Sequence, residues 1–302
     1  MSYKLNLHYS LDSEIKRIIL DITDDSLKHL ARGNNTEETI HEIRKNMKKA
    51  RGAIRLVRDI IGKEKYGDMN VFFRDTAREV SKLRDSYVMI QTMKTLRNHL
   101  NNQSVESIEI ILDKLEAHYY YVKSTLETQH IESRLRQRLV QIPEETESIF
   151  INNYKGEDLE SGLKRVYQRG FKADKIAFQD RSDNNLHEMR KRVKYLWYHI
   201  RLLKESWPGV MKSFGSEIHQ LANLLGVDHD LSVFRKNIKK YVSNGNEKEL
   251  IEKLVEIILL KRSRIQDDAF VLSAKIYAEK PGQFTQRIFS YFGITVNKLQ
   301  PA

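Results

Sequence analysis

Two short segments carry the residue types best suited to chemistry. His41-Glu-Ile-Arg44-Lys45 returns 146 residues later as His187-Glu-Met-Arg190-Lys191. Each begins like the zinc-binding pattern H-E-x-x-H, but lysine stands in place of the second histidine. The two-ligand metal face is missing, and no metal is expected. The side chains after each histidine are largely cationic: Arg44, Lys45, Lys48, Lys49, Arg51 and Arg55 after the first, and Arg190, Lys191, Lys194 and Arg201 after the second. Guanidinium and ammonium groups are donors only, so a row of them suits the holding of an anion.

The elements that carry these residues follow from periodicity. Apolar residues recur at spacings of three and four along most of the chain, which predicts amphipathic helices. With His41 at zero on a wheel of 100° per residue, Arg44, Lys45, Lys48 and Arg55 fall between about −60° and +40°, and Ile43, Met47, Ala50, Ile54 and Val57 between about 160° and 240°. From His187, the residues Arg190, Lys191, Lys194 and Arg201 take the same angles, opposite Met189, Val193, Leu196, Ile200 and Leu203. Two helices therefore share one plan. Leu83-Arg84-Asp85 follows the first, and Asp228-His229-Asp230 the second, 43 to 44 residues on. Lys16-Arg17 and Lys164-Arg165 precede them by similar distances. With at least four helices on each side of Pro143, this internal repeat predicts an all-α fold of two helical bundles, residues 1–142 and 143–302, joined near 141–156 with Pro143 as the interruption.

Helices are expected from Asp12 or Ser13 towards Gly33, from Thr36 to about Gly62, and over about 66–83, 86–100, 104–140, 157–180, 183–206, 210–226, 229–243 and 247–279. Only 13 Gly and 4 Pro occur in 302 residues, less than half of the roughly 12% of average usage, which agrees with a helical chain. There is no cysteine, so disulfides, thiolate metal sites and cysteine nucleophiles are excluded. Residues 1–8 lack the pattern of a secretory signal, and Leu254–Leu260, the most apolar stretch, falls far short of the about 20 residues a membrane span needs. A cytoplasmic protein with no membrane partner is expected.

The formal charge of +11 is concentrated on the repeated segments. Residues 41–58 hold seven Lys/Arg and one acid, residues 187–204 six and one, and the other 266 residues are formally neutral. Like charges at Arg44/Lys48, Lys45/Lys49, Arg51/Arg55 and Arg190/Lys194 oppose an isolated helix by a few tenths of a kcal/mol each, a cost that a bound polyanion offsets. No P-loop, G-x-S-x-G or G-x-G-x-x-G occurs, and the carboxylates show no catalytic pairing, so a non-enzymatic protein without cofactor is expected.

A duplicated H-x-x-R-K-x-x-K helix, followed by L-R-D or H-D markers, resembles the CHAD domain, the conserved histidine α-helical domain, over roughly residues 10–290. The resemblance implies two pseudo-symmetric four-helix bundles that bind inorganic polyphosphate on a basic surface and channel between them, with some members associated with polyphosphate granules. Without an E-x-E-x-K pattern the chain looks like a stand-alone member lacking the triphosphate-tunnel domain. Carried over by residue, the ligand set is His41, Arg44, Lys45, Lys48, Lys49, Arg51 and Arg55 with His187, Arg190, Lys191, Lys194 and Arg201. Arg84, Lys164 and Arg165 are added as candidates from the flanking helices, with Arg74 and Arg78 weaker. Trp197 and Tyr195 stand where the first half has Arg51 and Lys49, so the first helix is expected to contribute more affinity.

Asp85 and Asp230 either orient these cations or cap the next helix. The histidines either donate to phosphate, with binding strengthening as pH falls from about 7.5 to 6, or only orient a neighbour. With about ten phosphates neutralised, log K should fall against log salt with a slope of roughly −7. Two rivals stand beside polyphosphate: non-specific RNA binding, disfavoured by the lack of aromatics between 41 and 58, and a scaffold whose basic face docks an acidic protein. Tyr195, Trp197 and Tyr198 are read as packing.

Overall fold

The computed structural model describes residues 2–32, 36–98, 105–149, 151, 156–242 and 245–299. Among them lie twelve α-helices and no strand. They are α1 (Leu11–Arg32), α2 (Thr36–Leu56), α3 (Arg58–Ile61), α4 (Lys63–Arg78), α5 (Ser81–Arg97), α6 (Val105–Thr128), α7 (Ile131–Glu147), α8 (Gly156–Gln179), α9 (Asp183–Leu202), α10 (Pro208–Asn237), α11 (Gly245–Ile276) and α12 (Pro281–Leu299). No described helix is long and apolar enough to cross a membrane.

The apolar arcs of the two repeated helices drive their placement. Ile43, Met47, Ala50, Ile54 and Val57 on one side, and Met189, Val193, Leu196, Ile200 and Leu203 on the other, are all essentially inaccessible to solvent. Burying each of the larger of these side chains contributes about 1.5–3 kcal/mol, which fixes the basic arcs on the opposite side. α2 packs against α1 and α4, α9 against α8 and α10, and the two also pack on each other. Further pairs are α1 with α7, α5 with α6, α8 with α12 and α10 with α11. The buried apolar side chains form one contiguous cluster.

Several local expectations are corrected. Pro143 does not interrupt the chain: α7 runs through it to Glu147, because Leu135, Leu139, Ile142 and Thr146 keep a buried stripe at helical spacing. The expected division at 142/143 thus falls inside a helix, and residues 150 and 152–155 of the expected linker lie outside the described residues. Gly226 is likewise internal to α10, which continues to Asn237. The single pattern expected over 104–140 is two helices, broken at His130 in the left-handed conformation (φ 52°), with neither Gly nor Pro to announce it. α2 stops at Leu56 and a separate turn, α3, carries the chain to Gly62, whose φ of 85° favours glycine. Ser10, rather than Asp12 or Ser13, caps α1 by accepting from the Ser13 amide, and Asp12 accepts from the Ile151 amide instead. α12 has no counterpart among the expected helices. Its Phe284 stacks on buried Tyr167 with ring centroids 3.9 Å apart. Gly33, the expected end of the first helix, lies outside the described residues.

Gly52 sets how closely α2 and α9 approach. A Cβ there would lie 2.6 Å from the Tyr3 hydroxyl and 2.9 Å from Tyr198 Cβ. Gly52 and Tyr198 each follow their repeat histidine by eleven positions, so small meets large at matching places. Gly52→Ala should therefore destabilise the chain by about 1–3 kcal/mol through overpacking, read as a lower denaturant midpoint. Tyr3→Phe in the same background should recover part of the loss.

Candidate functional site: an unpaired cationic cluster between α2 and α9

The contact of α2 with α9 brings the two basic arcs together. Lys48 of α2 has Arg44, Arg190, Lys194 and Arg84 as its charged neighbours. Lys194 of α9 has Arg190 and Arg201. Both lysines are held down to about 8, first by burial and then by these cations. Lys48 nonetheless keeps an accessible side chain. Its ammonium is thus crowded by protein atoms and like charges and is still reachable from solvent. Gly226 of α10 borders the cluster, and a Cβ there would touch the Arg190 guanidinium at 3.7 Å.

These cations lack direct ion-pair partners among the described residues. Among the described residues, none of Arg44, Lys48, Arg51, Arg55, Arg84, Arg190, Lys194 and Arg201 forms an ion pair. Arg44 donates to the Ala77 carbonyl at 3.1 Å, and buried Arg190 Nε has no hydrogen-bond partner in the protein. Asp85 and Asp230 are electrostatic neighbours of Arg44 and Arg190 respectively, and of each other, without reaching ion-pair distance. Burial raises both carboxyls. They temper the cluster's field through space rather than by direct contact.

Two flanks extend the cluster. On one, Arg55 lies 3.7 Å above the Tyr195 ring, and Asn70 of α4 accepts from Arg51 Nε at 2.9 Å and Arg55 Nη2 at 3.4 Å. On the other, Arg201 lies over Tyr3 and Trp197, each at 4.9 Å or less, and Lys194 over Trp197 at 4.8 Å. Trp197 itself stacks on His219 at 4.4 Å. Of the three aromatics read as packing, Tyr198 is buried in the core, and Tyr195 and Trp197 pack against it while also serving as platforms for cations. Asn70, Tyr66 and His219 gave no signal in the sequence, because each reaches the cluster from a distant helix.

The remaining expected residues are placed otherwise. Lys45 and Lys191 each pair with the glutamate three positions earlier, Glu42 and Glu188, so the repeat preserves this ion pair too. Lys49 is turned inward and donates to Asn46 Oδ1 at 2.8 Å. Arg165 pairs with Asp59 of α3, and Lys164 is exposed on α8. Arg74 and Arg78 share Asp75, and Arg17 is held by Glu14 and Asp21.

The repeat histidines differ from each other. His187 Nδ1 and His229 Nδ1 are 3.2 Å apart, one donating and one accepting. Burial first, then neighbouring cations, lowers His187 and pushes His229 down to about 4, so this pair is neutral at pH 7. His41 has Arg84 beside it instead, and is lowered by burial and then by that guanidinium. The N-terminus of α9 that presents His187 is fixed by Asp183, to which Arg262, Lys236 and Arg235 donate, and Arg262 also pairs with buried Asp228 at 2.8 Å.

The lysines define a pH response. A bound anion raises their pKa, so binding is strongest while free Lys48 and Lys194 are protonated and is lost as pH rises above about 8. Lys48→Arg/Lys194→Arg, charged throughout, should flatten that loss in anion titrations at pH 7, 8 and 9. For His41, whose free pKa is lowered, affinity should grow as pH falls below 7 and the bound anion recruits the proton. His41→Gln should remove that gain in the same titrations at pH 7.5, 6.5 and 5.5.

None of the curated proteins compared with the chain matches it. The family model described as the CHAD domain matches residues 17–239, nearly three quarters of the sequence and both repeated helices. The chain belongs to the CHAD-domain family.

Proposed function

We propose that this protein binds inorganic polyphosphate, without chemical turnover, along the cationic cluster between α2 and α9. The observation that carries the reading is that eight arginines and lysines gather there with no ion pair among the described residues. A folded protein gains nothing by crowding unpaired cations in a partly dehydrated cleft, whereas a ligand with closely spaced anionic groups turns that repulsion into attraction. Charge-assisted donors are strongest where water is partly excluded. A linear phosphate polymer meets them without needing bases to be read, and family membership supports the same ligand class.

The same reading takes the fold as two related halves. The packing pairs α1–α2 and α8–α9, α2–α4 and α9–α10, α5–α6 and α10–α11, α1–α7 and α8–α12 correspond in chain order. Their division falls between the end of α7 and the start of α8, and the cluster lies where the halves meet. Both helices supply unpaired cations, four from α2 and three from α9, and the larger share of the affinity is assigned to the first. A cytoplasmic setting, with polyphosphate granules as one location, goes with this function.

The test is a titration of long-chain polyphosphate across a salt series. Eight phosphate contacts give a log K against log salt slope of about −6. Lys48→Glu/Lys194→Glu should lose at least a hundredfold in affinity at low salt and flatten the slope. Long-chain polyphosphate should displace RNA at equal phosphate concentration, and pure protein should release no orthophosphate from the chain. Wild-type affinity in the double variant, or displacement of polyphosphate by RNA, would overturn the reading.

A further inference from the structure

At the corner where α2, α3, α8 and α9 meet, four polar groups share a deficit. Arg55 Nη1, Arg58 Nε and Arg165 Nη1 are buried nitrogens with no hydrogen-bond partner in the protein, and neither ring nitrogen of His199 has one. His199 is fully buried, and faces the Gly52 carbonyl without a well-formed bond to it. Arg55 and Arg165 are its charged neighbours, and Arg58 and Arg165 both act on Asp59. Arg55 also donates to Asn70 and Arg165 to Asp59, which accepts from Ser161 as well at 2.7 Å. Tyr66 holds Arg58 at 5.1 Å and Arg55 at 6.0 Å from its ring centre. The corner exists because Gly162 lacks a side chain: a Cβ there would lie 2.1 Å from the Leu56 carbonyl oxygen.

We infer that this corner is a second anion site, built for a single phosphate-sized oxyanion, either free orthophosphate or the terminal phosphate of a chain. Guanidinium nitrogens only donate, so a group that satisfies them must accept. Leaving a buried donor unmade is costly, and three of them are cationic against one carboxylate, Asp59. Neutral imidazole supplies either a donor or an acceptor, which matches a phosphate oxygen or a phosphate hydroxyl. The site shares only Arg55 with the central cluster, through Nη1 rather than the Nη2 that meets Asn70, and does not rest on the polyphosphate reading.

The test uses the full chain titrated with potassium orthophosphate, followed by calorimetry and by the imidazole resonances, with His199 assigned through His199→Gln. Saturable binding that shifts the His199 resonances is expected. Arg58→Gln should weaken it at least tenfold, and Arg165→Gln similarly, while Lys48→Glu/Lys194→Glu retains it within about threefold. Triphosphate separates the two sources: equal weakening of triphosphate by Arg58→Gln supports a chain-end site, and unaltered triphosphate binding supports free orthophosphate. Absence of saturable orthophosphate binding with unshifted His199, or loss in the Lys48→Glu/Lys194→Glu protein equal to that in Arg58→Gln, would overturn the site. Loss of long-chain binding alone in the lysine variant would leave it standing.

Discussion

Repulsion between like charges at the α2–α9 contact is the constraint around which the molecule is arranged. Gly52 lets the two helices come close against Tyr198, and the same approach sets Lys48 beside Lys194 and Arg190. Water is the usual remedy for such crowding, yet burial is the first cause of the depressed lysine pKa values here. The nearby carboxylates, Asp85 and Asp230, stand back from direct pairing. The contact is therefore under electrostatic load in the free protein, and an anion that spans it relieves the load.

The rest of the fold carries that load. Two fully buried apolar arcs hold α2 and α9 at their positions, and the Asp183–Arg262–Asp228 network pins the start of α9 from α11 and α10. Such a buried network is weak evidence for stability, but removing one partner is expensive, which is what keeps the helix end in place. Tyr195 and Trp197 serve as faces against which Arg55, Arg201 and Lys194 rest, so the cations are steadied without being neutralised. A carboxylate in those places would steady them at the expense of their charge.

Most of the helices, the burial of each apolar arc and the meeting of cations from the two repeated helices were legible in the sequence, because each rests on periodicity and repetition. The features that escaped it depend on distant contacts or on competing local forces. Pro143 reads as a break, yet the buried stripe around it prevails. Lys45 and Arg44 are adjacent and look alike, but Glu42 stands three positions before Lys45 and takes it out of the unpaired set. Lys49 looks like part of the same basic run, and only the polar contact with Asn46 inside the fold shows it turned inward. Asn70 and Asp59 decide the state of Arg51, Arg55 and Arg165 from other elements, and no spacing rule in α2 or α8 points to them.

The most direct measurement of the central claim is the thermal stability of Lys48→Met/Lys194→Met against wild type, at low salt, with and without long-chain polyphosphate. Electrostatic load at the contact predicts that the variant melts higher than wild type without ligand, and that polyphosphate raises the melting temperature of wild type but hardly that of the variant. A variant that melts lower than wild type alone and gains the full increment from polyphosphate would contradict the account.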